Sequence, residues 1–285
     1  MAVKFFGQFL VEQGIVSREA LLDAIALQES TNLKFGEVAK NLGILSEADI
    51  EKVHAAQRSE DLRFGDMALK LGLLSQEQMD EILTKQKNNH LYIGEALVKV
   101  GALDDASLQK HLAAFKADQA IYQQDKVVLP AAVDSSALWE MVVDLSYKML
   151  TRVAQLTFRP GEAKVVRELP ANDTIATMEF TGSVSGTYVL SVSAPIRDQI
   201  ARAVFNQTDV SSEPLEVLED TVMEYVNIVC GNIAAKAAQM GKQMDILPPA
   251  LFNGPGNMSV PDGYVGLLFP ICLADGEKVE FAIFV

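Results

Sequence analysis

The apolar and small residues of the first 118 positions recur with a period of 29. Phe6-Gly7, Phe35-Gly36, Phe64-Gly65 and Ile93-Gly94 open the copies, and Gly14, Gly43, Gly72 and Gly101 each follow seven positions later. An apolar pair comes next, then Ser17, Ser46, Ser75 or Asp104; the copies close on Gln28, Gln57, Gln86 and Phe115. A period held through three intervals marks a repeat. Each copy predicts two short helices. The first ends at the second glycine, which takes a positive φ without strain. The second starts at the Ser or Asp, whose side-chain oxygen caps the first turn, and carries apolar residues such as Leu21 and Ile25 at helical spacing. One such pair cannot bury its apolar face alone, so the four copies are expected to stack into an all-α repeat array over residues 1–118.

Residues 119–135 break the period and are read as a linker; residues 136–285 have a different pattern. A helix is predicted over residues 137–156, with Leu138, Met141, Val142, Leu145, Leu150 and Val153 near one face. Strand-like segments follow at residues 163–168, 174–181 and 186–193, the last two joined through Gly182 and Gly186. Residues 194–206 read as a helix, and Ser211 and Ser212 cap a longer one with Pro214 in its first turn. Strands at residues 243–247, 264–274 and 278–285 complete the pattern, with Asp275-Gly276 as the last turn. Helices and mostly antiparallel strands in runs make this half α+β, with two long helices.

The long helix after Pro214 carries the most informative pattern. Leu215, Leu218, Val222, Val226, Val229 and Ile233 fall on one stripe at about 100° per residue. Asp220, Glu224, Asn227 and Gly231 form an opposite stripe. Asp, Asn and Gly each cost roughly 0.5–1 kcal/mol against Ala in a helix, so three in line suggest a face presented to a partner. Glu224 offers a carboxylate, and Asn227 a neutral carboxamide with donor and acceptor.

This stretch resembles the active-site signature of the CheX/CheC/FliY phosphatases: Asp or Ser, three residues, Glu, two residues, Asn. The resemblance implies that Asn227 orients a water for attack on the aspartyl phosphate of a CheY-like response regulator, and that Glu224 anchors the enzyme to a lysine of that regulator. Asp220, Gly231 and Asn232 would be supporting residues. An acyl phosphate is already activated and the regulator carries the Mg²⁺, so positioning and electrostatics remain. No cofactor of its own is implied. The order of elements in residues 136–285 is similar to a CheX-like domain. The first long helix has Glu140 with Val143 where an Asn would be needed, so one site is expected.

The repeat resembles the MshEN domain, whose paired motifs can bind cyclic di-GMP. Its opening Arg is kept only as Arg63, with Phe5, Lys34 and Tyr92 in the other copies. Copies two and three are the candidate pair, through Lys34, Gly36, Gln57, Arg63, Gly65 and Gln86. The alternative, an array kept for stability or protein contact, stays open.

Composition narrows the partners. The 285 residues carry a net charge of −14, with 14 basic against 19 acidic side chains in residues 1–126 and 10 against 19 beyond. This disfavours nucleic acid and anionic membranes and favours a basic partner patch. No apolar run is long enough for membrane insertion, and the start of the chain lacks a signal-peptide pattern, so a cytoplasmic protein is expected. Cys230 and Cys272 sit among apolar residues and are expected as reduced thiols; the scattered histidines suggest no metal site. A homodimer through the second domain is expected. The alternating Val279, Phe281, Ile283 and Val285 would make a sticky edge if the last strand were open, and CheX-like proteins dimerise through their sheets. Two functions follow: a response-regulator phosphatase whose repeats localise or regulate it, or a non-catalytic adaptor binding cyclic di-GMP or a motility, pilus or secretion component.

Overall fold

Local hydrogen bonds set the helix boundaries that the repeat predicts. In a computed structural model of the chain, which describes residues 4–57, 60, 62–119, 136–254 and 256–285, the residues divide into two compact units. The expected linker lies outside the described residues apart from Gln119. The first unit contains α1 (Phe6–Glu12), α2 (Arg18–Thr31), α3 (Phe35–Asn41), α4 (Glu47–Gln57), α5 (Phe64–Lys70), α6 (Gln76–Asn88), α7 (Ile93–Lys99) and α8 (Asp105–Gln119). Gly14, Gly43, Gly72 and Gly101 all take φ between 67° and 77° just past the first helix of each copy. The side chains of Ser17, Ser46, Ser75 and Asp104 accept from backbone N–H groups three residues on, at 2.8–3.3 Å.

The copies do not share one core in chain order. Copies two and three close a core of Val38, Ala39, Leu45, Val53, Met67, Ala68, Leu74 and Ile82, with α3 against α6 and α4 against α5. Copies one and four close another, built on Phe6, Phe9, Leu10, Leu97, Leu108 and Phe115, with α2 against α7 and α1 against α8. Each pair is therefore related by a pseudo-twofold exchange of first and second helices. The array expected from the repeat takes the form of an inner pair flanked in sequence by an outer one, because two amphipathic hairpins bury their faces against each other.

The second unit contains α9 (Ser136–Arg152), β1 (Phe158–Pro160), β2 (Lys164–Val166), β3 (Glu168–Leu169), β4 (Thr174–Gly182), β5 (Gly186–Val192), α10 (Ala194–Phe205), α11 (Leu215–Gln239), β6 (Met244–Ile246), β7 (Ala250–Leu251), β8 (Met258–Ser259), β9 (Gly266–Leu273) and β10 (Lys278–Phe284). The main sheet runs β1-β9-β10-β5-β4-β6, with β2 also on β9 and β7 also on β4, and these strands pair antiparallel. Residues of α9, α10 and α11 cover one face, against Tyr188, Leu190, Phe269 and Phe281. Leu169, Phe252, Met258 and Val260 join Val189, Leu268, Ala282 and Phe284 on the other face.

Four expectations change. The helix predicted to residue 156 ends at Arg152. The N-cap of α11 is Pro214 rather than Ser211 or Ser212. Leu215, expected on the buried stripe, is 55% exposed, since the first turn extends beyond the packed part of the helix. The final strand, β10, is not an edge: β9 and β5 pair with it along its length, which removes the argument from an open strand for self-association. The outer positions belong instead to strands of two or three residues, one containing Pro160, a protected form of edge.

Candidate functional site on the outward face of α11

Helix α11 is held against α9, α10 and β4. Leu218, Thr221, Val222, Tyr225, Val226, Val229, Cys230, Ile233 and Ala237 are buried in these contacts. Apolar packing thus covers more of the helix than the single stripe read from the sequence, and it leaves the predicted polar stripe outward. Asp220 and Glu224 are exposed, and Asn227 and Gly231 are half-buried beside them. The Asn227 amide Nδ2 donates to Glu224 Oε2 at 3.3 Å, a long bond that links the two side chains one turn apart. Asn232 lies about 100° round the helix from Gly231 and donates its amide to Ile228 O at 2.8 Å. The structure therefore brings Asp220, Glu224, Asn227 and Gly231 onto one face and gives Asn232 a bond within the helix.

Negative charge gathers along the first half of this helix, from Glu216, Glu219, Asp220 and Glu224, with Glu216 in the first turn, where the helix dipole favours it. The groups behind the face are unsuited to proton transfer or nucleophilic attack. Burial pushes the Cys230 thiol and the Tyr225 hydroxyl well above their ordinary values. On α9, Glu140 is exposed but Val143 is fully buried in the core, so the Glu–Asn constellation is not repeated there. No group of three or more His, Cys, Asp or Glu residues that could hold a metal occurs among the described residues, and no described helix is long and apolar enough to cross a membrane.

In the repeats, most of the six residues named for cyclic di-GMP have internal partners. A Cβ on Gly36 would lie 3.2 Å from Phe64 Cζ, and one on Gly65 would lie 3.2 Å from Phe35 Cζ, so these glycines let the two aromatic rings pack at a 5.8 Å centroid distance. Gln57 Nε2 donates to Leu62 O at 2.9 Å and Gln86 Nε2 to Leu33 O at 3.0 Å. In the outer pair Gln28 and Asn32 both donate to Leu91 O, and Leu91 N donates back to Asn32. The closing glutamines are thus clasps, each holding the leucine two residues before the first helix of the paired copy. The sequence signal for this was the constant distance between the Gln and the aromatic–Gly pairs, which equally suits a ligand motif. Lys34 and Arg63, exposed N-cap residues of α3 and α5, are brought to adjoining helix starts.

Comparison with known proteins bears on the second unit. No curated protein matches the chain. Among solved structures, a chemotaxis protein CheX from Desulfovibrio desulfuricans is 18% identical, with a TM-score of 0.46, covering 52% of this chain and 99% of its own. A putative chemotaxis protein from Desulfovibrio vulgaris Hildenborough is 20% identical, with a TM-score of 0.45, covering 54% and 100%. The CheX–CheY–BeF₃–Mg²⁺ complex from Borrelia burgdorferi gives 19% identity and a TM-score of 0.42, covering 52% and 96%. Residues 174–272, from the start of β4 into β9 and including the whole of α11, match the family model described as Chemotaxis phosphatase CheX, so this stretch of the second unit is similar to that family.

Proposed function

We propose that the second unit hydrolyses the aspartyl phosphate of a CheY-like response regulator, in a motility or chemotaxis-type pathway. The observation that carries this reading is the outward, hydrogen-bonded pair Glu224 and Asn227 within the stretch that matches the CheX family model. Asn227 holds the attacking water with its carboxamide, which brings no negative charge toward the phosphoryl oxygens. Glu224 pairs with a lysine of the regulator and fixes the approach of the helix. The acidic start of α11 favours the basic surface such a lysine would belong to. The Mg²⁺ belongs to the regulator, so positioning and electrostatics are what this chain adds. The helical repeats localise or regulate that activity.

The test uses receivers phosphorylated with a small acyl phosphate and catalytic amounts of the full chain. Phosphate release faster than the receiver's own is expected, and Asn227→Ala should slow it by about a hundredfold or more, on the order of 2.7 kcal/mol in barrier. Glu224→Ala should weaken binding as well, with high salt mimicking part of that loss. Full activity of Asn227→Ala on a receiver that the wild type dephosphorylates would overturn the catalytic assignment and leave α11 as an adaptor's docking surface.

A further inference from the structure

Gly231 is the one position of the outward stripe without a side chain, and no contact among the described residues requires that. A Cβ built there meets no atom within 4 Å. Elsewhere glycine has an evident internal reason: a Cβ would come within 2.6 Å of Gln243 O at Gly182 and 2.4 Å of Phe284 O at Gly186. Gly231 instead stands in the middle of a regular helix of 25 residues, where glycine is less favourable than alanine. The direction in which a side chain would point gives the omission a meaning. In an α-helix each Cα–Cβ bond tilts toward the N-terminus, so a residue covers the turn before its own. One turn before Gly231, at i−4, is Asn227. A side chain at 231 would therefore lean over the carboxamide that has to face the incoming phosphoryl group.

We propose that Gly231 is a clearance residue, which keeps the Asn227 carboxamide open to the phosphate-bearing surface of a folded receiver. The proposal rests on the reading of α11 given above and adds a positioning and specificity role. A methyl group at 231 narrows the approach, and a branched side chain closes it.

The experiment compares wild type, Gly231→Ala, Gly231→Leu and Asn227→Ala as full chains on one phosphorylated receiver. It also measures their affinity for the same receiver loaded with beryllium fluoride as a phosphoryl mimic. Both Gly231 variants should raise the thermal midpoint, because a good helix former replaces glycine in open space. Activity should nevertheless fall, by about tenfold for Gly231→Ala and to the level of Asn227→Ala for Gly231→Leu. Affinity for the loaded receiver should fall for Gly231→Leu and stay for Asn227→Ala, which separates blocked access from lost chemistry. A wild type that hydrolyses and a Gly231→Leu variant that equals it in activity and affinity would sink this inference alone. A wild type that neither hydrolyses nor binds any receiver would overturn the reading of the site and this inference with it.

Discussion

Gln57 and Gln86 occupy the same place in the repeat and make the same kind of bond, yet truncating them should have unequal effects. Gln57 is only 5% exposed, and its amide donates to Leu62 O at 2.9 Å. Gln57→Ala removes a neutral hydrogen bond of about 1 kcal/mol and leaves a half-covered carbonyl short of a donor, another ~1 kcal/mol. It also deletes a buried methylene, about 0.8 kcal/mol. The sum is roughly 2–3 kcal/mol. Gln86 is less covered, and Leu33, whose carbonyl it binds, is 38% exposed, so water can replace the amide. Gln86→Ala should cost at most about 1 kcal/mol. The chain allows the two units to be followed separately in urea. Its single tryptophan, Trp139, is buried in the second unit, while helical circular dichroism has a large contribution from the first. With a slope of about 2 kcal/mol per molar urea, Gln57→Ala should move the dichroism transition by about 1 M. The fluorescence transition should stay in place. Equal shifts for the two variants, or a shift seen in Trp139 fluorescence, would refute the clasp assignment.

Three further outcomes are expected. Glu280 is partly buried, with Oε2 lacking a partner among the described residues, and desolvation raises its carboxyl above the ordinary value. A raised acid contributes stability that is full below its unfolded value and lost as pH rises through the folded one. Glu280→Gln should therefore raise the thermal midpoint near about pH 7 and change it little near about pH 3.5; equal effects at both would contradict this. Gly43→Ala should destabilise the first unit by about 1 kcal/mol, because φ is 69° and the space around the new methyl is open; an unchanged dichroism midpoint would count against it. A thiol reagent should modify Cys272 well before Cys230 in the folded chain, since burial raises both thiols but only Cys230 is almost wholly covered. Mass spectrometry with Cys230 labelled first would show the packing of α11 to be looser than described.

What the sequence made legible is chemistry that acts within a few residues. The four glycines at positive φ and the four caps at Ser17, Ser46, Ser75 and Asp104 state their backbone roles directly. The outward stripe of α11 is similarly local, since helical period alone separates Glu224 and Asn227 from Val222 and Val226. The choice of partner between distant segments was not legible. A 29-residue period specifies equivalent surfaces without saying which copy meets which, and the exchange of α2 with α7 and α4 with α5 is a property of the closed unit. The place of β10 in the sheet is hidden for the same reason: alternation reports that a strand has apolar faces, while its neighbours are fixed by β9 and β5. The closing glutamines fall between the two cases. Their spacing was visible, but the carbonyl that each amide binds depends on which copies pair.

The backbone N–H of Lys4 donates to Gln119 Oε1 at 3.0 Å, beside the packing of Phe6 and Phe9 on Phe115. The polypeptide thus enters and leaves the helical unit at one spot, which gives the unit the mechanics of a buckle. A pull on residues 4 and 119 loads that contact as a peeling zip, with copies one and four parting before any tension reaches copies two and three. Under force the inner pair should persist as a helical knot after the outer pair has opened, so extension should proceed in two steps of comparable length.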